Sequence, residues 1–237
     1  IERGFDELGF SDHVPWPYKN GYVHPTVRMH ISQMPEYLAS VRALAEKYRG
    51  QIRILTGFEC EYFPDYMGWL ADMKAENGLD YLILGNHYDH DDEHGFYFGH
   101  TRTAEQIRRY VDSAVKGMET GMFAYLAHPD LFMRSYPEFD HHCKLVSRHI
   151  CRTAARLNLP LEYNLGYEEY NDIHGITSIP YPDFWKVAAH EGCTAIIGVD
   201  AHNNQYLENP FYYSRATETL RKLGIKVIDR IPFLNEK

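Results

Sequence analysis

Five short stretches of the chain end in side chains that can bind a metal ion: Asp12-His13, Glu59-Cys60-Glu61, His87, His128 and Asp200-Ala201-His202. Imidazole mixed with carboxylate suits Zn, Mn or Fe, and a carboxylate can bridge two ions. The chemistry this suggests is metal-assisted hydrolysis at a site holding more than one ion. Spacing supports convergence: residues two apart in an extended strand project to the same face, so Asp200 and His202 can meet at one centre, as can Glu59 and Glu61. Cys60 then points the other way, into the core. A single histidine after a strand is more often solvated or hydrogen-bonded than a ligand, so it is the repetition of such strand ends in one chain that carries the inference.

Each of these groups closes a β-rich run. Six runs are expected to be strands, over residues 9–13, 52–62, 81–87, 123–128, 159–165 and 194–202, the fifth of them ending near Asn164. Helical patterns lie between them. In residues 35–49, Leu38, Val41, Leu44, Ala45 and Tyr48 recur at three- and four-residue spacing along one face. Thr103 with Gln106 reads as a capping box that opens a helix running to about residue 120. Further helices are expected over 142–158, 181–191 and 210–223, the last two stopped by Gly192 and Gly224. Strand and helix in alternation predict a parallel α/β fold, with its functional residues at the C-terminal ends of the strands. Residues 1–8 read as the tail of a connecting helix stopped by Gly9, which implies a further strand upstream.

At 237 residues the chain fits one domain spanning 1–237. Hydrophobic residues make up 44% and charged ones 24%, and no apolar run approaches the ~20 residues of a membrane helix, so a soluble protein with no membrane partner is expected. The net charge of −9, with scattered Lys and Arg, argues against a nucleic-acid partner. An anionic substrate would need a local positive centre, which metal ions supply. The four cysteines form no C-x-x-C pair and read as reduced, buried thiols of a cytoplasmic protein.

The stretches GFSDH, LTGFECEY, LGNHY, AHPDLF and GVDAH, in this order and at these distances, resemble the polymerase and histidinol phosphatase (PHP) superfamily. Length, GFECEY and AHPDLF are most similar to its histidinol-phosphate phosphatases. The resemblance implies a distorted (β/α)7 TIM-like barrel, here lacking its first strand, with up to three divalent metal ions. It makes Glu59 a carboxylate bridging two metals, with His87 and His128 completing the second site. Asp200 would bind the first metal, and His13 with His202 the third, while Asp12 orients a ligand or passes a proton. Arg134 falls where the family places an arginine on the substrate phosphate. Asp12, Arg134, Asp200 and His202 are thus the residues implied for catalysis. The family's opening His-x-His, and the histidine soon after it, have no counterpart in the sequence. A second family arginine, after the asparagine of the sixth strand, is also absent, since Asn164 is followed by LGYEEYNDIHG.

The implied activity is hydrolysis of a small phosphorylated metabolite, L-histidinol phosphate foremost, by attack of a metal-bridging hydroxide. Alternatives are a PHP phosphoesterase of another substrate, or a non-catalytic metal-binding barrel. An amidohydrolase would carry a bridging lysine near mid-barrel, and YLILGNH has none. In the loop HYDHDDEHGFYFGH, His90, His94 and His100 read as solvated, with a lid or substrate-contacting loop as the alternative. His24, His30 and Arg28 lie in the loop YKNGYVHPTVRMH, on the same side as the proposed metals; Arg28 reads as solvated, with a reach to a phosphate as the alternative. Tyr62, Tyr88, Tyr163 and Tyr167 read as core and rim packing, with an aromatic wall for a substrate as the alternative.

Overall fold

A computed structural model describes residues 4–202 and 204–231. Strands β1 (Glu7–His13), β2 (Arg53–Cys60) and β3 (Tyr81–Leu84) form one parallel sheet in that order. Strands β4 (Leu161–Asn164), β5 (Thr194–Gly198) and β6 (Lys226–Ile228) form a second. Leu126 joins the two, with parallel bridges to Leu84 and to Leu161. Spatial order therefore follows chain order throughout, as repeated strand–helix units require.

Helices α1 (Met34–Lys47), α2 (Met67–Glu76), α3 (Ala104–Glu119), α4 (His141–Leu157), α5 (Leu165–His174), α6 (Pro182–His190), α7 (Gln205–Glu208) and α8 (Pro210–Leu223) alternate with these strands. None of the described helices is long and apolar enough to cross a membrane.

The two faces of the first sheet divide by the two-residue period of a strand. Phe58, Cys60, Leu82 and Leu84 face the helices and join the main core with Ile107, Tyr110, Phe132, Ile150 and Trp185. Leu55, Tyr81 and Ile83 face inward and pack with Ala124, Ala127 and Ile231. Glu59 continues that inner row at the C-terminal end of β2. Large inner side chains need room on neighbouring strands. A Cβ at Gly57 would stand 2.8 Å from the Tyr81 ring, and one at Gly85 would run into the Glu59 carboxylate. β3 is buried at all four positions, as a parallel strand covered on both faces should be.

The expected helices over 35–49, 103–120, 142–158, 181–191 and 210–223 are present, and the capping box of Thr103 and Gln106 is formed. The structure corrects three other expectations. Residues 4–8 are not helical, because β1 already begins at Glu7, where it pairs in register with Arg53 of β2; residues 1–3 lie outside the described residues. The run 123–128 is no strand but pairs through Leu126, and its end turns sharply where His128 takes a left-handed φ of 29°. The run 194–202 stops pairing at Gly198, short of Asp200, whose φ is 50°. Among the described residues the strands form a parallel α/β fold without a closed barrel: β1 pairs with β2 alone and the three-residue β6 with β5 alone. Sequence periodicity also missed α2, α5, α7 and β6. α5 starts directly at the end of β4 because Asn164 Oδ1 caps it, accepting the Tyr167 N–H at 3.1 Å.

Candidate metal centre

The ends of neighbouring parallel strands bring the site together. His13 ends β1 opposite Glu59 of β2. Glu61 lies just past β2, His87 just past β3, and His128 two residues beyond Leu126. His87 Nε2 stands 3.2 Å from His128 Nε2 and 3.4 Å from Glu59 Oε1, and His128 Nε2 stands 3.1 Å from Glu59 Oε1. Donors placed tetrahedrally around an ion at ~2.0–2.1 Å are themselves about 3.3–3.4 Å apart, so this triangle has the dimensions of three ligands of one ion. Two imidazole nitrogens aimed at each other and at one carboxylate oxygen are a natural donor set for a cation. His13, Glu61 and His87 form a second group whose donor atoms lie within 4.8 Å of one another. The buried Nδ1 of His13 has no hydrogen-bond partner, which also fits a site shaped for an ion.

Electrostatics agree. Burial would raise the Glu59 carboxyl, but His87, His13 and His128 around it hold it well below the usual carboxylate range. Burial would lower His128, yet its contact with Glu59 pushes it up to about 9. Burial pulls His13 down. Glu61 is likewise held low against the effect of burial, chiefly by Arg28. The site is a buried pair of ionised carboxylates among imidazoles, which favours positive charge.

The backbone at His128 is a local cost. A non-glycine residue in the left-handed region costs of order 1–3 kcal/mol and persists only where its surroundings hold it. Here the His128 N–H donates to Glu162 Oε2 (3.0 Å), and Tyr110 Oη donates to the carbonyl of Pro129 (2.9 Å). Asn164 Nδ2 donates to Glu162 Oε2 and to Asp200 Oδ2, both at 3.1 Å, so Asp200 is tied to the same framework. Burial holds the Glu162 carboxyl above its ordinary range.

The expected site residues thus fall into groups. His13, Glu59, His87 and His128 come together, and Asp200 is joined to them through Asn164 and Glu162. His202 is exposed, its Nδ1 2.9 Å from the Asp200 carbonyl oxygen. Asp12 is exposed, and its carboxylate accepts the N–H of His13 at 2.7 Å. Arg134 donates to Tyr97 Oη at 2.8 Å and lies over the rings of Tyr97 and Tyr167, the latter edge-on to His128 at 6.4 Å.

Arg28 is not solvated as expected. It is 8% exposed and ion-paired with Glu61 and Asp92. Glu162 was legible by the same two-residue rule that pairs Glu59 with Glu61, since it shares a face of β4 with Asn164. Asp92, one acid in an acidic loop, carries no local signal.

The PHP domain family matches residues 1–165 of the chain. A probable histidinol-phosphatase of Deinococcus radiodurans is 25% identical over 96% of this chain and 86% of its own length. Among solved structures, the fold is similar to histidinol phosphate phosphatase from Lactococcus lactis complexed with zinc, L-histidinol and phosphate, with a TM-score of 0.69 at 18% identity over 96% of this chain and 85% of that one. It is similar also to a putative histidinol phosphatase from Listeria monocytogenes, with a TM-score of 0.67 at 18% identity over 90% of this chain and 89% of that one.

Proposed function

We propose a function from one premise: the chain belongs to the PHP domain family. The protein is a metal-dependent phosphomonoesterase acting on a small phosphorylated metabolite, and its substrate is L-histidinol phosphate, cleaved to histidinol and phosphate. The triangle of Glu59, His87 and His128 carries the reading. The name of the Deinococcus relative and the ligands of the Lactococcus structure support the choice of substrate.

Glu59, His87 and His128 would hold one divalent ion, Zn, Mn or Fe. Glu59 with Asp200, and His13 with His202, are the residues for others, up to three in all. Such an ion supplies Lewis-acid charge to the phosphoryl oxygens and makes a water acidic enough to act near neutral pH. The remaining work falls to the chain. Arg134 presents a planar fork that matches two phosphoryl oxygens, and the rings of Tyr97 and Tyr167 hold that fork in place. Asn164 fixes the Asp200 carboxylate. His202, with Nδ1 at the Asp200 carbonyl, has one nitrogen left for one of two roles: Nε2 either holds an ion with His13 or, protonated and free of metal, gives a proton to the leaving alcohol. Asp12 holds the backbone of His13 where its ring meets His87 edge-on at 5.0 Å.

The same reading takes residues 1–237 as one domain, and its parallel strands in sequence order as part of a TIM-like barrel. It also places the protein in the cytoplasm, supported by four free, buried cysteines. The test is an assay with Mn or Zn against a panel of phosphomonoesters. Turnover of L-histidinol phosphate is expected to exceed that of the other esters, and Glu59→Ala and His128→Ala each to lower kcat by at least about 100-fold, as loss of a preorganised electrostatic group does. Activity that survives both substitutions overturns the site.

A further inference from the structure

We infer that Arg28 is a positioning residue of this centre: it anchors the Glu61 carboxylate, and Glu61 in turn fixes the ring of His87. The inference rests on the function proposed above. His87 has two faces to satisfy. Its Nε2 is the atom in the triangle with Glu59 and His128, and its Nδ1 stands 3.0 Å from Glu61 Oε1. A neutral imidazole has one lone pair, so the partners assign the roles: Nδ1–H donates to Glu61, and the Nε2 lone pair faces the centre. Glu61 could be mistaken for a ligand, since it groups with His13 and His87. Its oxygens are already engaged, however. Oε1 accepts from Arg28 Nη2 at 2.6 Å as well as from His87, and Oε2 accepts from Trp16 Nε1 at 3.0 Å. It is an orienter rather than a ligand.

Arg28 has the form such a role needs. Its side chain is 1% exposed and that of Glu61 fully buried, so water does not compete for the contact. Each edge of the guanidinium is engaged: Nη2 on Glu61, Nε on Asp92, and Nη1 on the Val14 carbonyl at 3.0 Å. Asp92 is itself gripped by Tyr18, whose hydroxyl donates to Oδ1 at 2.5 Å. One side chain thereby clamps the loop after β1, the loop after β3 and the end of β2 to the back of His87. A lysine could supply the charge but not the three-way fork.

The test is titration of the metal-free protein with Mn(II), read by electron paramagnetic resonance, with circular dichroism as the check on folding. Arg28→Met is expected to weaken Mn(II) binding by about 10- to 100-fold, the usual effect of removing an outer partner of a ligating histidine. Arg28→Lys is expected to weaken it by about tenfold, and Glu61→Gln to do at least as much. Because Arg28 acts through Glu61, the double variant Arg28→Met/Glu61→Gln should bind within about twofold of Glu61→Gln alone, the signature of coupled rather than independent sites. A folded Arg28 variant that binds Mn(II) like the unaltered protein, or losses that multiply in the double variant, overturns the inference. So does failure of both Arg28 variants to fold, which would make the residue structural only. Glu59→Ala separates the two readings: if it binds Mn(II) no worse than the unaltered protein, the centre itself is wrong. Binding lost in Glu59→Ala but kept in the Arg28 variants overturns the role of Arg28 alone.

Discussion

The two sheets meet at the candidate site, yet they contribute to it in opposite ways. The β1–β3 side, with the segment around Leu126, supplies His13, Glu59, Glu61, His87 and His128, each within hydrogen-bonding or ring contact of at least one other and braced from behind by Arg28. The β4–β6 side supplies Glu162, Asn164, Asp200 and His202. There only Glu162 and Asn164 are buried; Asp200 is half-buried and His202 exposed. The difference teaches a division of labour. A buried, cross-braced half suits the holding of ions, where misplacement by a fraction of an ångström is costly, and an open half suits groups that must meet a substrate and exchange protons with it.

The sharpest way to break that division is to cut each half once. Glu59→Ala should abolish measurable Mn(II) binding at the triangle, while Asp200→Asn should leave that affinity within about threefold and lower kcat by at least about tenfold, as loss of a charge-assisted contact does. Equal losses of affinity in both would show that the halves are not separable. Between the two halves, where Arg134 lies over Tyr97 and Tyr167, Arg134→Lys should reduce kcat/KM for a phosphomonoester by about 10- to 100-fold with Mn(II) affinity unchanged, since a point charge does not replace a bidentate fork. Steady-state kinetics beside the same titration would check it.

The braced half has a packing test of its own. Gly85→Ala would push a methyl group into the Glu59 carboxylate, so it should destabilise the fold by about 1–3 kcal/mol in urea unfolding and weaken metal binding as well. The smallest effect is expected in the acidic loop. His90 and His94 are exposed and paired only with neighbouring acids, so alanine at either should change stability by less than about 0.5 kcal/mol and activity by less than about twofold. A larger loss of activity would bring that loop into the substrate site.

Much of this was legible in the chain. Alternation of β-rich and helical segments predicted parallel units, and the two-residue rule placed Glu59 and Glu61 on one face and Cys60 in the core, where it is fully buried. The helix from Thr103 was readable from its cap because a capping box is a contact between near neighbours. The segment 4–8 misled for the opposite reason. Its apolar spacing fits a helix, but the pairing of Glu7 and Leu8 with Arg53 and Ile54, continued by β1 along β2, outweighs that weak local preference.

By itself, then, the sequence determined the donor types and the strand ends that carry them, because both follow from residue identity and short-range periodicity. Arg28 shows what it could not determine. Its partners Glu61 and Asp92 lie 33 and 64 residues away, and nothing within a turn or two of Arg28 distinguishes it from a solvated arginine. Only the tertiary structure, by laying β1, β2 and β3 side by side and folding their loops over one another, decided that this charge would be buried behind His87. Burial of charge is a property of the assembled sheet and its loops, since it depends on which distant groups exclude water from it.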